Sequence, residues 1–307
     1  MKIVPAGASA VSVLCGLCVL CAAAQAAAQP QSTELHIKFN SGQDVVPVYE
    51  GWERVPDGSF NMVFGYLNRN HVEEVSVPIG PQNSFDPGPA DRGQPTYFYP
   101  RENHFIFRVN VPKDWDRKKE LVWTLTVHGK TEQARATLLD IWEIDRKVEV
   151  SNNGGGTATS NELIAKDQPP SITIAPVGRV VAATPVTLTA TISDDGIPPA
   201  TMKPRPQRGA EPSLKPVGPP SPVNVPMPQR PRPPQGGGLS AYWFVYRGPA
   251  AVAFDPEGYA KVIEGKTAVK ATFTQPGTYT IRAFAHDGLL RTPADVIVTV
   301  DSARGSQ

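Results

Sequence analysis

Short apolar runs that alternate with polar residues recur along this sequence and restrict the folds open to it. Residues 34–39 alternate strictly, which places Leu35, Ile37 and Phe39 on one face of a strand. Apolar residues seldom recur at helical spacing, and 33 prolines and 26 glycines among 307 residues disfavour long helices. Further runs of this kind lie at residues 60–68, 72–79, 105–111, 121–127 and 133–138. The pattern predicts an all-β chain built from antiparallel sandwiches.

Two pairs of these runs are predicted to form hairpins. Residues 60–68 and 72–79 are separated by the polar Asn68-Arg69-Asn70. Residues 121–127 and 133–138 are joined by His128-Gly129-Lys130, which suits a tight turn. We therefore expect an N-terminal β-sandwich domain over residues 29–150.

A change of composition divides the chain near residue 150. Residues 151–170 are rich in Asn, Ser and Gly and end in Pro169-Pro170, which predicts a flexible linker. A second immunoglobulin-like domain is expected over residues 171–301, followed by a tail at 302–307. Its predicted strands lie at residues 172–175, 186–193, 242–246, 268–273, 279–285 and 296–300. Tyr279 is expected to close a corner of this sandwich through its hydroxyl, and Trp243 is expected in the core.

One segment of the second domain has the composition of a disordered insertion. Residues 197–238 hold 14 of the 33 prolines, five glycines and few large apolar side chains. Six basic residues against Glu211 give the segment a net charge of +5, while the whole chain carries +1. Three interpretations stay open: an inert insertion, a spacer, or a docking segment for an acidic envelope polymer.

The N-terminus has the order of a secretory signal peptide over residues 1–28. Lys2 precedes an apolar run from Val11 to Ala24, and Ala24-Gln25-Ala26 and Ala26-Ala27-Ala28 then place small residues at −3 and −1 of a cleavage site. An uncleaved anchor is disfavoured because the run is too short to span a bilayer. A lipoprotein is disfavoured because leucines precede all three cysteines, which lie at positions 15, 18 and 21. We expect an exported bacterial protein, periplasmic or extracellular, without disulfides or a membrane span after cleavage.

The second domain resembles a known group of modules. The residues that carry the resemblance are 192–196 (Ile-Ser-Asp-Asp-Gly), 276–283 (Pro-Gly-Thr-Tyr-Thr-Ile-Arg-Ala), 285–288 (Ala-His-Asp-Gly) and 294–300. They are similar to PKD and related immunoglobulin-like domains of bacterial surface proteins. Residues 242–247 read Tyr-Trp-Phe-Val-Tyr-Arg where PKD domains have Trp-Asp-Phe-Gly-Asp-Gly. Residues 46–53, with 57–60 and 65–70, resemble uncharacterised exported bacterial proteins of similar layout, which implies no activity.

Few residues point to catalysis. The five histidines form no HExxH arrangement, no G-x-S-x-G elbow is present, and no cysteine follows position 21. A net charge of +1 gives no general field for nucleic acid. We therefore expect no enzyme and no cofactor. An enzyme assembled from dispersed carboxylates is the contrasting hypothesis.

Two candidate binding sites follow from the pattern. Asp194, Asp195 and Asp287 lie in loops expected at one end of the second sandwich, where carboxylates could ligate calcium. The alternative is ordinary turn chemistry, in which each aspartate caps its own backbone. An aromatic platform for sugar rings or a peptide is the second candidate, with core packing as its alternative. Its residues are Tyr49, Trp52, Tyr97 and Tyr99.

These observations predict a non-catalytic binding or structural protein of the bacterial envelope. Its partner is expected to be an envelope protein or polysaccharide. The alternative is a carbohydrate-binding or accessory subunit of an envelope or degradative system.

Overall fold

The structure, a computed structural model, describes residues 39–152, 160–199 and 238–303. Strands dominate these residues and helices are few and short, so the all-β prediction is confirmed. The predicted signal peptide, the run at residues 34–38 and most of the proline-rich insertion lie outside the described residues.

The first β region contains eight strands and one 3-10 turn, Asp140–Trp142. The strands are β1 Val45–Arg54, β2 Phe60–Asn68, β3 Val75–Ser76, β4 Asn83–Asp86, β5 Tyr97–Phe98, β6 Arg101–Val111, β7 Leu121–Val127 and β8 Lys130–Ala136. They form sheets of order β1-β2-β6 and β4-β7-β8, with β3 paired to β5.

The second β region contains nine strands in two sheets, preceded by helices α1 Arg146–Asn152 and α2 Asn161–Lys166. The strands are β9 Ser171–Ile174, β10 Val180–Val181, β11 Val186–Ser193, β12 Ser240–Arg247, β13 Val252–Asp255, β14 Tyr259–Lys261, β15 Lys266–Phe273, β16 Gly277–His286 and β17 Arg291–Asp301. The sheet orders are β10-β17-β16-β12-β14 and β13-β15-β11-β9.

One predicted hairpin is confirmed and the other is wrong. β7 and β8 pair antiparallel across the two residues His128 and Gly129, whose φ angles of 50° and 77° suit a primed turn. β2 instead pairs with β1 and β6, while only Val75–Ser76 of the range 72–79 is a strand, and it pairs with β5. The pattern missed β1, whose Pro47 and Gly51 interrupt the alternation.

Aromatic side chains fill the space between the two main sheets of the first region. Phe64 stacks on Phe107 with ring centroids 5.4 Å apart, and Phe85 stacks on Trp123 at 5.9 Å. The Trp123 indole N–H donates to Oδ1 of the buried Asn83 at 3.0 Å. The indole nitrogen of Trp123 is therefore paired inside the apolar core.

The second region has its own core, as predicted for Trp243 and Tyr279. Trp243 is 3% exposed, and Tyr279 is fully buried against Phe273. The Tyr279 hydroxyl donates to the Gln275 carbonyl at 2.9 Å, which is the expected closure of the sandwich corner.

Strand β12 belongs to both cores. Its alternate residues Ala241, Trp243 and Val245 face the second core, whereas Phe244 and Tyr246 pack in the first. Phe284 of β16 joins them, stacked on Phe244 at 5.5 Å. We call this contact between the two β regions the junction.

Polar contacts accompany the aromatic packing at the junction. The pairing of β12 with β16 shifts register between Val245 and Arg247. The Val245 amide then donates to the Tyr99 hydroxyl at 3.0 Å, and the Thr96 amide donates to the Tyr246 carbonyl at 3.1 Å. Arg282 pairs with both carboxylate oxygens of Asp295, at 2.7 and 2.8 Å. Its third nitrogen donates to the Ile106 carbonyl at 2.8 Å. The two regions are thus packed together by side chains and backbone.

Part of the range predicted as a flexible linker is ordered and packed. Ser160 caps α2 by accepting a hydrogen bond from the Leu163 amide at 3.2 Å. Ile164 of α2 is buried with Val150 of α1 and with Leu289 and Leu290 of the β16–β17 turn. The apolar residues on α1 and α2 explain the difference, because they gain burial by docking on that turn. Residues 153–159 of the predicted linker lie outside the described residues.

Candidate functional site

Four aspartates come together where α2 meets the ends of β11 and β16, and we call them the acidic cluster. Asp167 follows the last residue of α2, Asp194 and Asp195 follow β11, and Asp287 follows β16. Of the three aspartates singled out from the sequence, Asp194 has charge interactions with both Asp195 and Asp287. Asp167 is the member that sequence reasoning missed, because it lies in the range interpreted as linker.

The aspartates of the cluster differ in how their oxygens are used. Asp195 accepts the Gln168 amide at 3.1 Å and the Ile197 amide at 2.9 Å. One oxygen of Asp287 accepts the Leu289 and Leu290 amides at 2.6 and 2.7 Å. The bonds from Ile197, Leu289 and Leu290 are the turn chemistry that the sequence offered as the alternative, whereas the bond from Gln168 joins two distant segments.

Four carboxylate oxygens in the cluster are buried without a hydrogen-bond donor among the described residues. They are both oxygens of Asp167, Oδ1 of Asp194 and Oδ2 of Asp287. Asp167 is 0% exposed and Asp287 is 1% exposed. Arg146 lies nearby, but its hydrogen bond goes to the Asp167 backbone carbonyl rather than to the carboxylate.

The pKa values of the cluster reflect this burial. Burial raises the pKa of Asp167 to about 7, and the charge of Asp287 is the next largest cause. Burial raises the pKa of Asp287 to about 6, although its two amide donors stabilise the charged form. Burial also raises the pKa of Asp194. Keeping these buried carboxylates ionised therefore costs free energy, and protonation or a bound cation would reduce that cost.

No group of three or more His, Cys, Asp or Glu side chains in residues 39–152, 160–199 and 238–303 is already positioned to hold a metal ion. The carboxylates are neighbours, but their free oxygens do not yet surround a common point.

Tyr49 and Trp52 do not present an aromatic platform. Trp52 is fully buried, and its indole N–H donates to the Leu139 carbonyl at 2.9 Å. The half-buried Tyr49 packs against Phe64 and Trp142, and its hydroxyl donates to the Thr137 carbonyl at 2.5 Å. The platform interpretation is wrong here because β1 directs these rings into the first core and toward the segment after β8.

Tyr97 and Tyr99 lie at the junction instead of at a solvent-facing site. Tyr97 is 5% exposed, and its hydroxyl donates to Glu74 at 2.5 Å. Tyr99 contacts both cores, and its ring meets Phe244 edge to face at 6.3 Å. The alternative of core packing is therefore the correct one for all four aromatic residues.

An exposed apolar feature, the apolar ridge, follows β8 and consists of Leu139, Ile141 and Trp142. Ile141 is 85% exposed and the other two are 45% exposed. The backbone beneath them is anchored, because Leu139 accepts the Trp52 indole and the Ile144 amide donates to the Trp52 carbonyl at 2.8 Å. The ridge is thus an apolar surface on a fixed backbone, of the kind that marks interaction sites.

A second surface feature, the threonine groove, lies on the sheet that contains β9, β11 and β15. It measures about 800 Å³. Its polar and apolar lining includes Thr173, Thr189, Thr191, Lys261, Ile263 and Lys266. Threonine and lysine residues therefore line the same open groove.

No helix in the described part of the chain is long and apolar enough to cross a membrane.

Comparisons with known proteins return β-rich chains at low similarity. No family model matches, and no curated protein matches. Fibronectin(III)-like modules of CbhA from Clostridium thermocellum are 12% identical, with 86% of this chain and 97% of that chain covered and a TM-score of 0.24. A conjugative transposon lipoprotein from Bacteroides eggerthii is 10% identical, with 42% of this chain and 96% of that chain covered and a TM-score of 0.23.

A surface layer protein, SbsC domains 1–6, is 8% identical, with 85% of this chain and 28% of that chain covered and a TM-score of 0.25. These neighbours include envelope and surface proteins. Every one of these TM-scores lies below 0.5.

Proposed function

We propose that this chain is an exported, non-catalytic binding or structural protein of the bacterial envelope, acting in the periplasm or at the cell exterior. The export part rests on the signal-like order of residues 1–28. The single observation that supports a binding role is the apolar ridge, whose side chains are exposed above an anchored backbone.

The junction supports the same proposal. A surface feature binds with less loss of conformational entropy when the body beneath it is already ordered. Phe244, Tyr246 and Phe284 join the first core, so the ridge is presented by a packed two-region body. An envelope protein with an exposed apolar groove or pocket is the partner class that suits the ridge.

The test combines export with capture. The full chain is expressed in a bacterial host with an outer membrane, and the processed product is sequenced from its N-terminus after fractionation. We expect cleavage near residue 28 and recovery outside the cytoplasm. An uncleaved cytoplasmic product would contradict the export part of the proposal.

The binding part is tested with a ridge variant. Purified protein is crosslinked to an envelope extract, and the variant Ile141→Ser is compared with the control Val72→Ser. Val72 is also apolar, is 45% exposed and lies in the first β region. Loss of the crosslinked partner in Ile141→Ser alone is expected. Equal crosslinking by both variants and the parent would refute a role for the ridge.

The threonine groove favours a second candidate, a carbohydrate-binding or accessory subunit. Lys261 and Lys266 flank threonine hydroxyls, which suits an anionic envelope polysaccharide. Retention on a panel of polysaccharides should fall in Lys266→Ala and stay unchanged in Lys113→Ala, an exposed control. Retention by neither parent nor variants would exclude this candidate.

A further inference from the structure

The unpartnered oxygens of the acidic cluster require an explanation that protein contacts do not supply. Buried polar groups in folded proteins are almost always hydrogen-bonded, and a buried carboxylate without a partner is strongly disfavoured. Here four such oxygens belong to three neighbouring aspartates, and the two most buried are Asp167 and Asp287. Backbone amide donors account for the other oxygens of the cluster and not for these four.

The three aspartates with unpartnered oxygens follow three different elements. Asp287 is oriented by two amide donors on Oδ1, which leaves Oδ2 free. Asp194 accepts the Gly196 amide on Oδ2 at 3.0 Å, which leaves Oδ1 free. Asp167 has both oxygens free at the end of α2. Each aspartate thus keeps at least one oxygen that could face a cation.

We propose that the acidic cluster binds one divalent cation, with Asp167, Asp194 and Asp287 as its carboxylate ligands. Calcium fits better than magnesium, since calcium accepts six to eight oxygens in irregular geometry, whereas magnesium demands a strict octahedron. Asp195 plays a positioning role, because its bond to the Gln168 amide holds the chain beside Asp167. The inference does not depend on the proposed function.

Binding requires a small rearrangement and an entry path. Because no three carboxylates among the described residues already surround a common point, cation binding draws the Asp167 and Asp194 side chains inward. A hollow of about 470 Å³ is lined in part by Ser193, Asp194 and Gly196, so it reaches the cluster at Asp194. The bound cation would then connect α2 with the ends of β11 and β16.

Calorimetry and thermal unfolding test the proposal on the full purified protein after chelation, at pH 8. We expect calcium to bind with one-site stoichiometry and to raise Tm by several degrees, because a ligand that binds only the folded state stabilises it. Magnesium at the same concentration should raise Tm less. No calcium heat and no change of Tm up to 10 mM would overturn the proposal.

Single-residue variants test whether the calcium response comes from the acidic cluster. Asp167→Asn should raise Tm in chelator, because it removes a buried charge beside three others, and should abolish the response to calcium. Asp194→Asn, at a half-buried position, provides a second test if Asp167→Asn does not fold. The control Asp114→Asn removes an exposed carboxylate of the first region and should keep the full response. A calcium response that persists in both cluster variants would place the cation elsewhere and refute the assignment.

Discussion

The hydroxyl of Tyr99 offers a sharp test of whether the two β regions unfold as one unit. It accepts the Val245 amide at 3.0 Å across the junction, at the point where the register of β12 shifts. Tyr99→Phe removes this acceptor and keeps the ring, so the Val245 amide loses its partner in the interior. Leaving a buried donor unsatisfied costs about 1–3 kcal/mol, more than the loss of an ordinary hydrogen bond. Tm should fall by about 2–4 °C for each kcal/mol.

Urea unfolding followed by tryptophan fluorescence and far-ultraviolet circular dichroism measures this cost. Each core contains a tryptophan, Trp123 in the first and Trp243 in the second, so fluorescence reports on both cores. If the two regions unfold as one unit, fluorescence and circular dichroism should give one transition with the same midpoint. The matched control is Tyr279→Phe, which loses a hydroxyl that donates to Gln275 within the second region. It should cost about 0.5–1.5 kcal/mol. Two separate transitions, of which Tyr99→Phe shifts only one, would refute the shared core.

Three further predictions follow from the packing and the charges. Phe244→Ala, at a position 3% exposed, should lower the free energy of unfolding by about 3–5 kcal/mol in urea titrations, and a loss below about 1 kcal/mol would contradict its place in the core. Gly51→Ala should lower Tm more than Gly129→Ala. Both glycines have positive φ, but only at Gly51 would a Cβ lie 2.4 Å from the Trp142 carbonyl oxygen. Equal Tm values would show that the backbone around Trp142 moves to admit the Cβ. In chelator, Tm should fall as pH rises from 5 to 8. In the folded protein the pKa of Asp167 is about 7 and that of Asp287 is about 6, whereas an unfolded aspartate has a pKa of about 4, so ionisation at higher pH favours the unfolded state. A Tm that rises over this range would contradict the raised pKa values.

Strand positions could be predicted from the sequence where alternation is regular and tight turns mark the ends. Leu121–Val127 and Val186–Ser193 are strands with the predicted bounds. Pairing was harder, because alternation reports which face a residue takes and not which strand lies beside it. The prediction therefore paired β2 with residues 72–79, which is wrong. It missed the partner β1 because Pro47 and Gly51 interrupt the alternation there.

The junction has a signature in the sequence of β12. Residues 241–246 are continuously apolar or aromatic, and such a run is typical of a strand buried on both faces. The buried positions of Tyr97 and Tyr99 follow from that strand, which lies some 150 residues later in the chain, so local pattern could not locate them. Asp194, Asp195 and Asp287 could be paired by loop topology, whereas Asp167 required the position of α2.

The double membership of β12 also sets an order of events for a chain that emerges from its N-terminus. Tyr99 and Val245 are 146 residues apart, so the first region lacks the partners of its junction until the later strand arrives. Until then the Val245 amide is not available to Tyr99, and the core around Phe64 lacks the rings of Phe244 and Phe284. We expect the first region to stay incompletely packed during synthesis. Completion of the fold would then coincide with release of the last strands.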